Sequence, residues 1–135
     1  MKKDKIIYWA TTGILGAMML FSAFSYFTNE DMKAAFVHLG FPDYFRIELA
    51  TAKIIGVLVL LIPFIPKEIK DMAYVGFAIT FISAFIAHTS SGDPISVAIL
   101  PIIFLGILLV SFIYRNKYVA VRNVDSEIAL TNSLI

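Results

Sequence analysis

Hydrophobic residues fall into four long runs along the chain, separated by short polar segments. The runs cover residues 6–27, 46–64, 72–88 and 94–114. Each approaches the roughly 20 mostly apolar residues that a membrane-spanning helix requires. Because the connections are short, consecutive helices are expected to run antiparallel. The pattern therefore predicts an all-α protein, a four-transmembrane-helix up-and-down bundle.

A shorter helical pattern lies between the first two runs. Asn29 is placed to cap a helix that begins near Glu30, and Gly40 followed by Pro42 should end it. One face of this segment is apolar at helical spacing, with Met32, Ala35, Phe36 and Leu39. We expect a short amphipathic helix at the membrane interface.

Aspartates and prolines mark the ends and one interruption of the predicted spans. Asp43 is placed to cap the second span, and Asp93 followed by Pro94 to open the fourth. Pro101 lies inside the fourth run, where it is expected to kink the helix because proline has no amide hydrogen to donate.

Composition supports the membrane class and removes several kinds of chemistry. Hydrophobic residues make up 59% of the 135 residues, against about 45–50% in soluble domains. The chain has no cysteine, which excludes disulfides, thiol redox chemistry and cysteine metal sites. A net charge of +1 gives no reason to expect a nucleic acid partner. The first apolar run exceeds the roughly 7–15 residues of a signal peptide core, so we expect a retained helix.

The cations lie mostly on one side of the predicted topology. That side holds Lys2, Lys3, Lys5, Lys67, Lys70, Arg115, Lys117 and Arg122. The positive-inside rule then predicts a plasma (inner) membrane protein with its N-terminus and C-terminus both cytoplasmic. Residues 1–118 form the expected membrane domain. Residues 119–135 are expected to be a cytoplasmic tail, and disorder is one interpretation of them.

Ionisable residues gather at the predicted outer end of the bundle. Ionisable groups within a membrane are costly and suggest function. Lys53 is the most informative, since it lies deep in the second span. Glu48 is five residues away, and a partner on another segment would complete the pair. The candidates on other segments are Glu30, His88 and Asp93.

Structural explanations compete with a functional pocket for these residues. The cluster would also be explained by an ion-pair network that fixes helix register, or by Lys53 extending to the headgroups. His88 either accepts a proton from outside or caps its helix. His38 lies on the flank of the short helix, where solvation is expected. No metal-ligand, phosphate-loop or nucleophile motif is present.

Several stretches resemble the DoxX-like family of small four-helix membrane proteins, over roughly residues 8–114. The matching stretches are His38-Leu39-Gly40-Phe41-Pro42 with Tyr44-Phe45, Arg46-Ile47-Glu48-Leu49-Ala50-Thr51-Ala52-Lys53-Ile54-Ile55-Gly56, Ile62-Pro63, Ile69-Lys70-Asp71-Met72-Ala73-Tyr74-Val75-Gly76 and Ala84-Phe85-Ile86-Ala87-His88 with Gly92-Asp93. The resemblance implies a four-helix membrane fold. It also implies an association with quinone-coupled oxidation, with membrane complexes that handle oxidative stress, or with assembly of other membrane proteins.

Two hypotheses of function follow. The first is a pocket for a small lipophilic ligand, for which a quinone is the cofactor considered, serving or performing quinone-linked redox chemistry. Its polar head would meet Glu48, Lys53 and His88, with Asp93 and Glu30 nearby, and Tyr26 and Tyr44 would cover its ring. The second is a non-catalytic accessory subunit or membrane-protein assembly chaperone. Beyond the lipid bilayer, the partner would then be another membrane protein or a second copy of the chain. The residues leave open whether the protein is an enzyme.

The predicted orientation is tested by cysteine labelling in intact cells. Single cysteines that replace Lys3 and Asn123 should both be shielded from a membrane-impermeant reagent added outside, because both termini are expected to be cytoplasmic. A cysteine that replaces Lys33 should react and serves as the control. Labelling at position 3 or 123 would contradict the orientation.

Overall fold

The computed structural model describes residues 2–135 and shows a helical chain. Within this range there is no strand, and four of the helices have at least 19 residues. In chain order the helices are α1 (Lys2–Thr28), α2 (Glu30–His38), α3 (Asp43–Leu61), α4 (Lys67–Ser90), α5 (Ile95–Ala98) and α6 (Leu100–Ser133). The all-α class predicted from the sequence is confirmed.

The four long helices pack around a common axis in chain order. Helix α1 contacts α3 and α6, and α4 also contacts α3 and α6. Neighbouring helices run antiparallel, because residues later in one helix contact residues earlier in the next. Phe81 of α4, for example, lies against Phe104 of α6, while Tyr74 bonds Ser111. We call the end of the bundle that carries α2 the α2 end, and the opposite end the termini end.

The core is apolar and rich in aromatic rings. Side chains from all four long helices form it: Leu15, Met19, Val57, Leu60, Tyr74, Phe77, Phe81 and Leu108. The outer faces are apolar as well. Phe21 is 74% exposed and Ile79 is 60% exposed. Large apolar side chains on the outside of a helical bundle are expected where lipid is the solvent.

Among the described residues, three helical segments are long and apolar enough to cross a membrane: Lys2–Thr28, Lys67–Ser90 and Ile95–Ser133. They correspond to the first, third and fourth predicted spans. The second predicted span coincides with α3, which is not in this set. Its first three turns carry four charged residues, Asp43, Arg46, Glu48 and Lys53. The count of four membrane-spanning helices therefore stays a prediction.

The helix caps follow the sequence only in part. Asn29 caps α2 as predicted, since its side chain accepts a hydrogen bond from the backbone N–H of Asp31 at 2.9 Å. The two aspartate caps are wrong. Asp43 is already inside α3 and bonds Arg46 at 2.9 Å. Asp93 precedes Pro94, the N-cap of α5, and its carboxylate bonds two histidines instead.

The predicted interruption near Pro101 is present. Helix α5 ends at Ala98, Ile99 separates it from α6, and Pro101 stands in the first turn of α6. Proline is tolerated there because the first turn has no intrahelical partner for its missing N–H. Beyond the bundle, α6 continues to Ser133 with exposed side chains from Ala120 onward. The segment expected as a tail is thus helical, and its assignment as a separate unit stays a prediction.

Helices α3 and α4 are in tight contact at a glycine. A Cβ atom built on Gly56 would lie 2.7 Å from the Phe77 ring. That ring is 5% exposed and stacks on Phe81, so it has little room to move. Gly76 lines a groove between α3 and α4. A Cβ atom built on Gly76 would meet nothing within 4 Å.

Gly56→Ala should lower stability by about 1–3 kcal/mol, because the added methyl group overpacks a filled core. Gly76→Ala should be neutral or slightly stabilising, because alanine favours a helix and the space is open. Thermal unfolding of both variants in the same detergent measures the difference. Equal transition temperatures would contradict this account of the α3–α4 contact.

Candidate functional site

A buried lysine joins α3 to α1 near the α2 end, and we call it and its two partners the Lys53 site. Lys53 is 6% exposed. Its Nζ donates to Ser22 Oγ at 2.9 Å and to the Tyr26 hydroxyl at 2.8 Å. It also lies 4.0 Å from the centre of the Tyr26 ring. Ser22 and Tyr26 are four residues apart in α1, so both project from the same face of that helix.

The partners of Lys53 are hydroxyl groups and an aromatic ring. In residues 2–135 no carboxylate forms an ion pair with its Nζ. The sequence suggested Glu48 as the partner of Lys53, with the pair completed by a water molecule or by Glu30, His88 or Asp93. The side chains that Lys53 bonds are instead Ser22 and Tyr26. A buried cation without a counterion is costly, and an electronegative oxygen brought next to it would relieve that cost.

Tyr26 is held in place from two sides. Phe36 of α2 packs edge-on against its ring, with centroids 4.9 Å apart, and Phe36 in turn contacts Phe41 and Phe45. Arg46 of α3 donates to the backbone carbonyl of Tyr26, near the end of α1. This carbonyl belongs to the last turn, where helices leave acceptors without internal partners. The Tyr26 hydroxyl is therefore pre-positioned for Lys53.

An apolar groove of about 410 Å³ runs between α3 and α4, with Lys53 near its α2 end. Small side chains line it on both helices, which leaves room between them. They are Ala52, Gly56, Ala73 and Gly76. The site thus combines one cationic donor with an elongated apolar surface.

A second polar group at the α2 end consists of His38, His88 and Asp93, here called the Asp93 cluster. His88 Nδ1 contacts Asp93 Oδ2 at 2.6 Å, and His38 Nε2 contacts Oδ1 at 2.8 Å. The hydrogen bond from His88, followed by that from His38, holds the pKa of the Asp93 carboxyl below its usual range. Asp93 is therefore ionised at neutral pH and ties α2 to the end of α4. His38 is 56% exposed as expected, but it is also bonded.

The structure does not gather all the predicted site residues at Lys53. Glu30, Tyr44 and Glu48 are exposed. His88 and Asp93 bond each other and not Lys53. Of the predicted set, only Tyr26 contacts Lys53 directly. No three histidine or acidic side chains within residues 2–135 are arranged to hold a metal ion.

A third polar group is buried toward the termini end, and we call it the Ser111 cluster. Ser111 Oγ bonds Thr12 Oγ1 at 2.6 Å and the Tyr74 hydroxyl at 2.7 Å. One serine therefore connects α1, α4 and α6. Arg115, one turn further along α6, is 3% exposed and bonds Asp71. Its guanidinium also lies 5.1 Å from the Tyr74 ring centre.

A family model for DoxX-like proteins matches residues 10–111, which is most of the chain. The chain belongs to the DoxX-like family. No curated protein and no solved structure matches it. Family membership and the apolar helices together make it an integral membrane protein.

The DoxX-like region includes the Lys53 site, the Asp93 cluster and the three hydroxyls of the Ser111 cluster. It ends before Arg115 and before the exposed part of α6. The polar contacts that link the long helices thus belong largely to the part of the chain shared with the family model.

The Ser111 cluster was missed in the sequence, although a signal for it exists. Thr12 lies four residues after Tyr8, Tyr74 three after Asp71, and Arg115 four after Ser111. Such spacings place each pair on one helix face. These pairs indicate a shared site only if α1, α4 and α6 are known to contact one another. The tertiary structure supplies that information.

Ser111→Ala should lower stability by about 1–3 kcal/mol, because the buried Thr12 and Tyr74 hydroxyls lose their shared partner. Ser126→Ala is the matched control, since Ser126 is exposed and bonds only its own helix. Thermal unfolding in detergent gives the comparison. A loss no larger than that of the control would show that the cluster does not hold the helices together.

Proposed function

We propose that this DoxX-like protein binds a small lipophilic ligand whose head carries an electronegative oxygen. The head would lie at the Lys53 site and the apolar tail in the groove between α3 and α4. A quinone has this chemistry, and the proposed role is to serve or perform quinone-linked redox chemistry. The observation that carries the proposal is buried Lys53, whose ammonium has hydroxyl partners only and whose side chain is part of the lining of an apolar groove.

The proposal includes α3 as a fourth membrane span, with both termini in the cytoplasm of a plasma membrane protein. Helix α3 has 19 residues, which corresponds to about 28 Å at 1.5 Å per residue. This length is close to the hydrocarbon thickness of about 30 Å. Its two buried cations, Arg46 and Lys53, bond within the bundle and not toward lipid. The cation-rich segments all lie at the termini end, which supports the cytoplasmic assignment.

The residues at the site suit the recognition of a carbonyl oxygen. Lys53 can donate a hydrogen bond to it while retaining Ser22 or Tyr26 as a second partner. The Tyr26 hydroxyl is a second donor, and its ring offers a flat surface. A quinone takes up protons when it is reduced, and Lys53 and Tyr26 are the groups positioned to supply one. The electrons would come from a partner, since the chain has no cysteine for thiol chemistry.

A second candidate function rests on the same groove. Its lining of small residues is typical of surfaces where membrane helices pack closely. A helix of a client or partner protein would fit there as well as a lipid-like tail. In that case the protein would be an accessory subunit or assembly chaperone.

The first experiment is mass spectrometry of lipophilic molecules extracted from the purified protein. We expect one molecule at near-stoichiometric amount in the natural protein. Lys53→Met should reduce it at least tenfold, because methionine fills the space but donates no hydrogen bond. Lys67→Met is the control, because Lys67 is exposed and pairs on the surface with Asp71. Thermal unfolding of both variants verifies that they are folded.

Three results of this experiment separate the candidates. A quinone lost only in Lys53→Met supports the proposal. The same ligand content in Lys53→Met and the natural protein would overturn the role of Lys53. Bulk membrane lipid alone in every sample would overturn the ligand and favour the accessory function.

A further inference from the structure

The last part of α6 leaves the bundle as an uncovered helix. After Tyr118, which stacks on Tyr8, the helix runs on to Ser133. At 1.5 Å per residue this extension is roughly 20 Å long. All its side chains from Ala120 onward are exposed. Isolated helices of about this length are only marginally stable in water, so the extension needs a surface to pack against.

The exposed extension carries an apolar stripe at coiled-coil spacing. Val121, Val124, Ile128 and Thr131 follow one another at steps of three, four and three residues. In heptad terms they occupy positions a, d, a and d. Val124 and Ile128 are each 54% exposed. The stripe lies on one face and has no partner within the described chain.

A hollow on this same face has the lining expected of a coiled-coil hole. It is lined by Val124, Glu127, Ile128, Thr131 and Asn132. In the heptad above, the first four occupy positions d, g, a and d. A knob at position a of a parallel partner packs into four residues of this kind. The lining of this hollow and the heptad spacing of the sequence therefore both indicate a partner helix packed in a coiled coil.

We propose that the occupant is the extension of a second copy of this chain, in a parallel coiled coil. The extension is the end of α6, which is unbroken from Leu100 to Ser133, and residues 107–135 contain neither glycine nor proline. Two copies inserted in the same direction therefore present the same stripe, parallel and in register. The β-branched residues Val121 and Ile128 at position a favour two strands.

The charges beside the stripe are compatible with self-association. In a parallel pair, position g of one helix faces position e of the next heptad in the other. Glu127 then faces Asn132, and Ala120 faces Asp125, so no like charges meet. Two heptads alone form a weak dimer, but anchoring in one membrane raises the effective concentration of the partner. This proposal does not depend on the ligand proposed above.

The test is oxidative cross-linking of the full-length chain in purified form, reconstituted into phosphatidylcholine vesicles. The protein has no cysteine, so each single-cysteine variant carries one thiol. Val124→Cys and Ile128→Cys should form covalent dimers at least tenfold more than Ser126→Cys, because only the stripe positions bring two Cα atoms within the roughly 4.4–6.8 Å of a disulfide. Equal yields at positions 126 and 128, or monomers throughout, would overturn the proposal.

A second measurement uses no thiol. Fluorescence energy transfer between labelled copies in the same vesicles should fall at least fivefold in Ile128→Asp, because a carboxylate would be buried at position a. Ser126→Asp adds the same charge outside the stripe and should leave the transfer unchanged. Transfer that is unaffected by Ile128→Asp would show that the copies do not meet through this stripe. If the natural protein shows no energy transfer between copies in these vesicles, the self-association proposal fails. The stripe would then contact another protein or the lipid surface.

Discussion

Polar side chains of membrane helices must find their hydrogen-bond partners inside the protein, and this constraint organises the bundle. Lipid supplies no hydrogen bonds and no hydrophobic drive between apolar helices. Each contact between neighbouring long helices accordingly has a polar link. Lys53 joins α3 to α1, and Lys70 donates to the carbonyl of Leu60 and so joins α4 to α3. Ser111 joins α6 to both α1 and α4. Apolar packing around Gly56 and Phe77 fills the space between these links.

The polar groups at the two ends differ in what they offer to a ligand. In the Ser111 cluster the hydroxyls bond one another and Arg115 pairs with Asp71, while the buried Arg115 Nε has no hydrogen-bond partner among the described residues. In the Lys53 site the lysine has neutral hydrogen-bond partners only, and its side chain is part of the lining of an apolar groove. The cost of burying a cation bears on both arrangements: Arg115 is neutralised within the chain, and for Lys53 we propose that an oxygen of a ligand relieves that cost.

Much of the fold follows from local patterns in the sequence. The apolar runs predicted the long helices, Asn29 and the Met32–Leu39 face predicted α2, and Pro101 predicted the interruption of the last helix. The aspartate caps failed because each aspartate lies one position away from the N-cap residue, which is Pro42 for α3 and Pro94 for α5. The two carboxylates bond Arg46 and the pair of histidines instead. Lys53 was identified as the central residue, but its partners were sought among Glu48, Glu30, His88 and Asp93 and are hydroxyls of α1.

The sequence by itself therefore determined the membrane class, the long helices and Lys53 as a lysine inside the bundle, because hydropathy, helical periodicity and turn residues act over a few neighbouring positions. Only the tertiary structure decided which side chains meet. Ser22 lies 31 positions from Lys53, and Thr12 lies 99 positions from Ser111. No local pattern encodes such pairs, since they depend on how four helices pack and on which faces they turn toward one another. The stripe on the end of α6 became evident for the same reason, once the chain there was known to be helical and uncovered.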